Sequence, residues 1–115
     1  MQKKIKFHHQ QGNKIISQKE ITAIIKENQI IYKDEVLTKI KFQDESLIFT
    51  RQTKEYDFQL IISTINSCTY TLKTHNLTYD IKVQKASFKR ISNSLEIYYE
   101  IETLENGTYI KLTNI

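Results

Sequence analysis

The chain has 115 residues, 17 of them basic and 13 acidic, for a formal net charge of +4. This length fits one domain, residues 1–115, that buries about two-thirds of its unfolded surface and needs no covalent staple. One cysteine, Cys68, excludes an internal disulfide and a cysteine-based zinc site, and fits a reducing compartment.

The opening stretch MQKKIKFHHQ alternates apolar and polar residues and is followed by no apolar h-region, so it does not read as a secretion signal. Lys3 to His9 reads as a strand with Ile5 and Phe7 on one face. Lys14 to Lys26 follows, with Ile21, Ala23 and Ile25 in phase. The polar "SQKE" in its middle predicts a bend or bulge, or a short helical turn. Gln29 to Lys33 places Ile30 and Tyr32 together. Leu37 to Gln43 places Ile40 and Phe42, Leu47 to Gln52 places Leu47 and Phe49, and Tyr56 to Ser63 places Phe58, Leu60 and Ile62. Cys68 to Thr74 aligns Cys68, Tyr70 and Leu72. Leu77 to Gln84 aligns Leu77, Tyr79, Ile81 and Val83. Leu95 to Thr103 aligns Leu95, Ile97, Tyr99 and Ile101, and Thr108 to Leu112 aligns Ile110 and Leu112. A period of two repeated this often is a strand signal, and no segment sustains a 3.6-residue period.

Turn-formers separate the runs. Asn106-Gly107 is the strongest, because that pair suits the two positive φ values of a type I′ hairpin. Gly12-Asn13, Glu27-Asn28, Asp44-Glu45, His75-Asn76 and Asn93-Ser94 are weaker versions. Connections this short make neighbours antiparallel. The predicted fold is all-β: a closed or nearly closed up-and-down barrel of about 8–10 strands, since closure removes exposed edges. A sandwich is the second choice.

Four stretches carry a family resemblance: "IIYKDE" (Ile30 to Glu35), "LIFTR" (Leu47 to Arg51), "THNLTYDIKV" (Thr74 to Val83) and "LEIYYEI" (Leu95 to Ile101). On these the chain resembles the YwiB-like family of uncharacterised bacterial proteins. The resemblance implies a calycin-like, lipocalin-like β-barrel and no particular activity. The chain departs from the family pattern at His75-Asn76-Leu77, where a Pro-Tyr-Gly hairpin is usual, and after Arg51, where a glycine is usual.

Arg51 is in phase with Leu47 and Phe49, which points a guanidinium toward the barrel mouth. A buried guanidinium needs an anion. Asp34, Glu35, Glu55 and Asp57 are internal choices, a ligand carboxylate or phosphate is another, and snorkelling to water from a strand end is a third. Tyr32, Tyr79 and Tyr99 share phase with apolar neighbours, as does Tyr70. They either plug the barrel or line a polar end beside Arg51. Tyr98 and Tyr109 are out of phase and expected outside.

His8 and His9 point to opposite faces, and His75 sits in a turn, so no metal is expected. No phosphate-cradling glycine loop or nucleophile elbow is present, and Cys68 reads as a small buried apolar residue. The chain reads as a non-enzyme with no cofactor. The reading that results is a small cytoplasmic barrel binding a small amphiphilic or anionic ligand through Arg51, Tyr32, Tyr79 and Tyr99. The alternative is a protein- or single-stranded nucleic-acid-binding module using Lys82, Lys85, Phe88, Lys89 and Arg90, the best local basic patch. Nucleic acid is the less favoured partner, no membrane is involved, and the expected state is a monomer or weak homodimer.

Overall fold

The computed structural model describes residues 1–115. Eleven strands form one antiparallel sheet: β1 (Gln2–Gln11), β2 (Lys14–Lys26), β3 (Gln29–Lys33), β4 (Leu37–Gln43), β5 (Ser46–Gln52), β6 (Tyr56–Ile62), β7 (Ser67–Leu72), β8 (Leu77–Asp80), β9 (Val83–Ile91), β10 (Ser94–Ile101) and β11 (Thr108–Thr113). The one helical element is a 3-10 turn at Lys73–His75, and no helix is long and apolar enough to cross a membrane. In space the order is β8-β7-β6-β5-β4-β3-β2-β1-β11-β10-β9. Two meanders are therefore joined where β1 pairs with β11.

The sheet curls, but it is an open half-barrel rather than the closed barrel of 8–10 strands read from the sequence. No ladder joins its margins, β8 and β9. The physical reason lies in the stretch Leu77 to Ile91, read above as a strand ending at Gln84. Its first part pairs with β7, and Ile81 N–H still donates to Cys68 O at 2.9 Å. At Lys82 the chain changes partner: Lys82 O accepts from Glu102 N–H at 3.1 Å, and Val83 to Ile91 pair with β10. One continuous segment thus serves both margins, each with one free edge.

Alternation along the strands builds the core. Ile5, Phe7, Ile40, Phe49, Leu60, Ile97, Ile110 and Leu112 are all buried in one cluster inside the curl. Each fully buried side chain of this size contributes roughly 1.5–3 kcal/mol. The interior is thus packed with side chains through its middle.

The long β2 contains no helical turn. A bulge does occur, one residue before "SQKE": His9 pairs with Ser17 but Gln10 with Ile15, leaving Ile16 extra. Asn106-Gly107 does not form a type I′ turn. The only glycine with positive φ is Gly12 (+58°), and six residues separate β10 from β11. Gly107 instead leaves room for the end of the Tyr98 side chain, which a Cβ there would push aside.

Candidate functional site at the mouth of the curled sheet

At one end of the curl the inward-facing stripes run out of apolar residues. On β1 the series Ile5, Phe7 continues as His9 and Gln11, and on β5 the series Leu47, Phe49 continues as Arg51. These strand ends border a concavity of about 460 Å³. Phe58, Ile81, Ile101 and Leu104 supply apolar wall, and Tyr56, Tyr70, Tyr99 and Thr108 supply hydroxyls. That composition, apolar wall with a few convergent polar groups, is typical of small-molecule sites.

Arg51 has an internal partner. Its Nη2 donates to Asp34 Oδ2 at 3.0 Å, and the two side chains are 17% and 7% exposed. Asp34 Oδ1 accepts from Val36 N–H at 3.1 Å, so the β3–β4 connection holds the carboxylate in place. Of the four carboxylates open to Arg51 in the sequence, the fold selects Asp34. Only one guanidinium nitrogen is used in that pair, which leaves N–H donors on the same group beside the concavity.

His9 is half-buried at the rim. Burial lowers its pKa below the usual histidine value, and the nearby Arg51 charge lowers it further. Tyr99 is buried, with its ring 6.1 Å from both Phe49 and Phe58, and burial raises its pKa. Tyr56 and Tyr70 stack at 5.1 Å with 19° between planes, forming a flat aromatic wall. Gln11 fixes the far rim: its Nε2 donates to Asn106 O at 2.8 Å, and its Oε1 accepts from Thr108 at 3.0 Å.

Tyr32 lies behind this wall. It is 2% exposed, its ring is 5.6 Å from Phe7, and its hydroxyl faces that of Thr38 without a well-formed hydrogen bond to protein. Thr38, directly opposite on β4, donates its own hydroxyl to Val36 O. Burial raises the Tyr32 pKa, and the Asp34 charge adds to the rise.

The structure thus brings Arg51 and Tyr99 to the mouth and sets Tyr32 deeper, within the electrostatic reach of both. Tyr79 is not there. It sits on β8, all four residues of which face water, and is 51% exposed. Tyr79 stands opposite Tyr70 in the ladder and so shares its face, but nothing packs over β8 at this open margin, and the side chain meets water. His9, Gln11, Tyr56, Phe58, Leu104 and Thr108 are mouth residues that sequence reasoning missed. His9 and Gln11 carried the same signal as Arg51, a polar continuation of an apolar stripe.

The β9 residues divide between two faces. Lys85 and Lys89 point outward opposite Glu100 and Glu96. Phe88 faces inward against Phe42, with ring centroids 6.4 Å apart, and Arg90 caps the opposite end of the curl 4.3 Å over the Phe42 ring. Lys82 lies at the chain crossing, its N–H bonded to Glu102 Oε1. These five therefore do not form one outer basic and aromatic face. Cys68 is buried, and burial pushes its thiol up to about 11. No group of three His, Cys, Asp or Glu side chains is arranged to hold a metal ion.

With this architecture in view, the relevant likeness is to a solved structure. The chain is similar in fold to the ywiB protein from Bacillus subtilis. The two superpose with a TM-score of 0.61 over 99% of this chain and 93% of that one, at 13% sequence identity. No protein-family model and no curated protein matches the sequence. At that identity the likeness to ywiB speaks for the fold alone, and its coverage takes in the strands that border the mouth.

Proposed function

We propose that the chain is a binding protein, not an enzyme, that takes a small amphiphile with an anionic head into the mouth of the curled sheet. The observation that carries this reading is Arg51: a mostly buried guanidinium with unused donors, set at the edge of a concavity walled by Phe58, Ile81, Ile101 and stacked tyrosines. A guanidinium grips a carboxylate or phosphate through paired N–H donors. The apolar wall receives the ligand's hydrocarbon part. Because the middle of the sheet is filled, the ligand lies at the mouth and does not thread the interior. The same reading makes the chain a calycin-like member of the YwiB-like family, located in the cytoplasm and working as a monomer or weak homodimer.

The chain has no tryptophan, so Leu104→Trp supplies a single reporter at the rim. Titration of that variant with decanoate and with decanol tests the proposal. Decanoate is expected to change the emission saturably, and Arg51→Gln in the same background is expected to weaken decanoate at least tenfold while leaving decanol unchanged. Circular dichroism and a melt check that Arg51→Gln is folded at the assay temperature, and Arg51→Lys, which keeps a charge for Asp34 but lacks the paired donors, is the second variant. Failure of both probes to bind, or equal weakening of both probes in a folded Arg51 variant, refutes the anionic-head reading.

A further inference from the structure

The outer surface of β10 and β11 lies on the other side of the sheet from the mouth and carries its own chemistry. Tyr98 and Tyr109 stand directly opposite each other in the ladder, and both point outward while Ile97 and Ile110 point in. Each hydroxyl is tied down: Tyr98 donates to Glu100 at 2.8 Å and Tyr109 donates to Glu96. The Tyr98 ring also passes over Gly107, where the missing Cβ makes room for it. His8 meets the Tyr109 ring edge-on at 5.9 Å. Two aromatic rings are thereby held in fixed orientations on an exposed sheet, where free tyrosines would sample several rotamers.

Basic residues flank the pair. In the ladder Glu96 stands between Lys111 on β11 and Lys89 on β9, and Lys85 stands opposite Glu100. Lys85 Nζ lies 5.7 Å from the Tyr98 ring centroid. Lys6 extends the basic surface along β1, next to the row that pairs His8 with Lys111. On β2, Glu20 stands opposite Lys6 and pairs with Lys4 at 3.9 Å. Five lysines (Lys4, Lys6, Lys85, Lys89 and Lys111) against three glutamates (Glu20, Glu96 and Glu100) still leave this face positive, and Glu96 and Glu100 already accept from a tyrosine. A groove of about 590 Å³ runs between Lys6, Gln18, Glu20 and Lys111 to Tyr109, and a smaller one of about 430 Å³ runs from Tyr109 past Tyr98 to Lys89.

We propose that this face binds single-stranded nucleic acid, with Tyr98 and Tyr109 stacking bases and Lys6, Lys89 and Lys111 meeting phosphates. Neighbouring strands lie about 4.8 Å apart, so two successive bases of an extended strand reach both rings. Stacking on aromatic side chains works for every base, and lysines along the track supply the salt-dependent attraction. The surface differs from the β9 patch suggested by the sequence, because Phe88 and Arg90 face the other way. The lysines favour a polyanion over a neutral sugar chain.

Fluorescence anisotropy of labelled oligothymidylate and oligouridylate at low salt tests this. Binding is expected, with Tyr98→Ala/Tyr109→Ala weakening it about tenfold or more. Lys6→Gln/Lys89→Gln/Lys111→Gln is expected to flatten the slope of log affinity against log salt by about two, at about 0.7 per lost phosphate contact. Tyr98→Phe/Tyr109→Phe keeps both rings and is expected to retain most of the affinity. Circular dichroism and a melt check each variant's fold, and if the alanine pair does not fold, the lysine triple decides. No binding at low salt, binding indifferent to salt, or full affinity in the alanine pair overturns the proposal.

Discussion

Arg51 and Asp34 form a 3.0 Å ion pair beside the mouth, reaching from β5 to the loop between β3 and β4. Both side chains are largely withdrawn from water, so each depends on the other. Removing one partner leaves an uncompensated charge, which costs roughly 3–5 kcal/mol in comparable buried pairs, whereas replacing both with apolar groups is often neutral. Urea unfolding of Arg51→Met and Asp34→Leu is expected to show large losses, and the double variant is expected to regain most of the stability. A double variant as unstable as the sum of the singles would show that the pair is not a unit.

His9 sets a pH dependence. Its folded-state pKa lies below the ordinary value near 6.5, because burial and Arg51 disfavour the charged ring. Below about pH 6.5 the unfolded chain takes up a proton that the folded chain refuses. Stability from this group is therefore present above pH 6.5, falls as pH drops toward the folded pKa, and levels off beneath it. Urea midpoints measured from pH 7.5 downward in parallel with His9→Gln (a measurement range on the usual histidine scale, about 6.5) check this. The variant is expected to lose less stability on acidification, and parallel curves would exclude the effect.

The Tyr32 hydroxyl is buried without a well-formed hydrogen bond to protein, Thr38 being the group it faces. Stranding a hydroxyl in this way costs about 1–3 kcal/mol. Tyr32→Phe removes the oxygen and keeps the ring against Phe7, so thermal or urea unfolding is expected to show a gain of about 1 kcal/mol. A loss instead would mean that the hydroxyl is bonded, for instance through a held water.

Gly107→Ala places a methyl against the Tyr98 ring and displaces it from Glu100. The ring end can swing outward, so the expected loss is modest, about 1 kcal/mol, at the low end for overpacking. In a Tyr98→Ala background the same substitution is expected to be neutral or slightly stabilising. Equal losses in both backgrounds would place the strain in the backbone.

Much of the architecture was legible because buried strands write themselves plainly. Ile5-Phe7, Leu47-Phe49 and Ile97-Tyr99-Ile101 each announce an inward face, and all of these residues are buried. Legibility failed where a strand lacks that contrast. Val83 to Ile91 offers Ala86 and Phe88 inward against Gln, Lys and Ser outward, and it continues a segment whose first part, Leu77 to Asp80, pairs at the other margin. Tyr79 misled for the opposite reason, with good alternation in a strand that nothing covers. Asn106-Gly107 matched a turn rule, but neither residue takes a positive φ, and the glycine lies against the end of the Tyr98 side chain. Arg51 could be read as needing an anion, while the choice of Asp34 depended on how the β3–β4 loop turns its carboxylate toward Arg51. The open margins could not be read at all, since local patterning does not say whether the last ladder closes.

Because Leu77 to Ile91 touches both margins, the order of strands around the curl is a rotation of their order in the chain. Starting from β9, space reads β9, β10, β11, β1 and onward to β8 without a jump. A circular permutant that links Ile115 to Met1 and is cut between Ile81 and Lys82 would therefore be an uninterrupted eleven-strand ribbon. In it the β1–β11 ladder, now between strands nearly a whole chain apart, becomes a local hairpin.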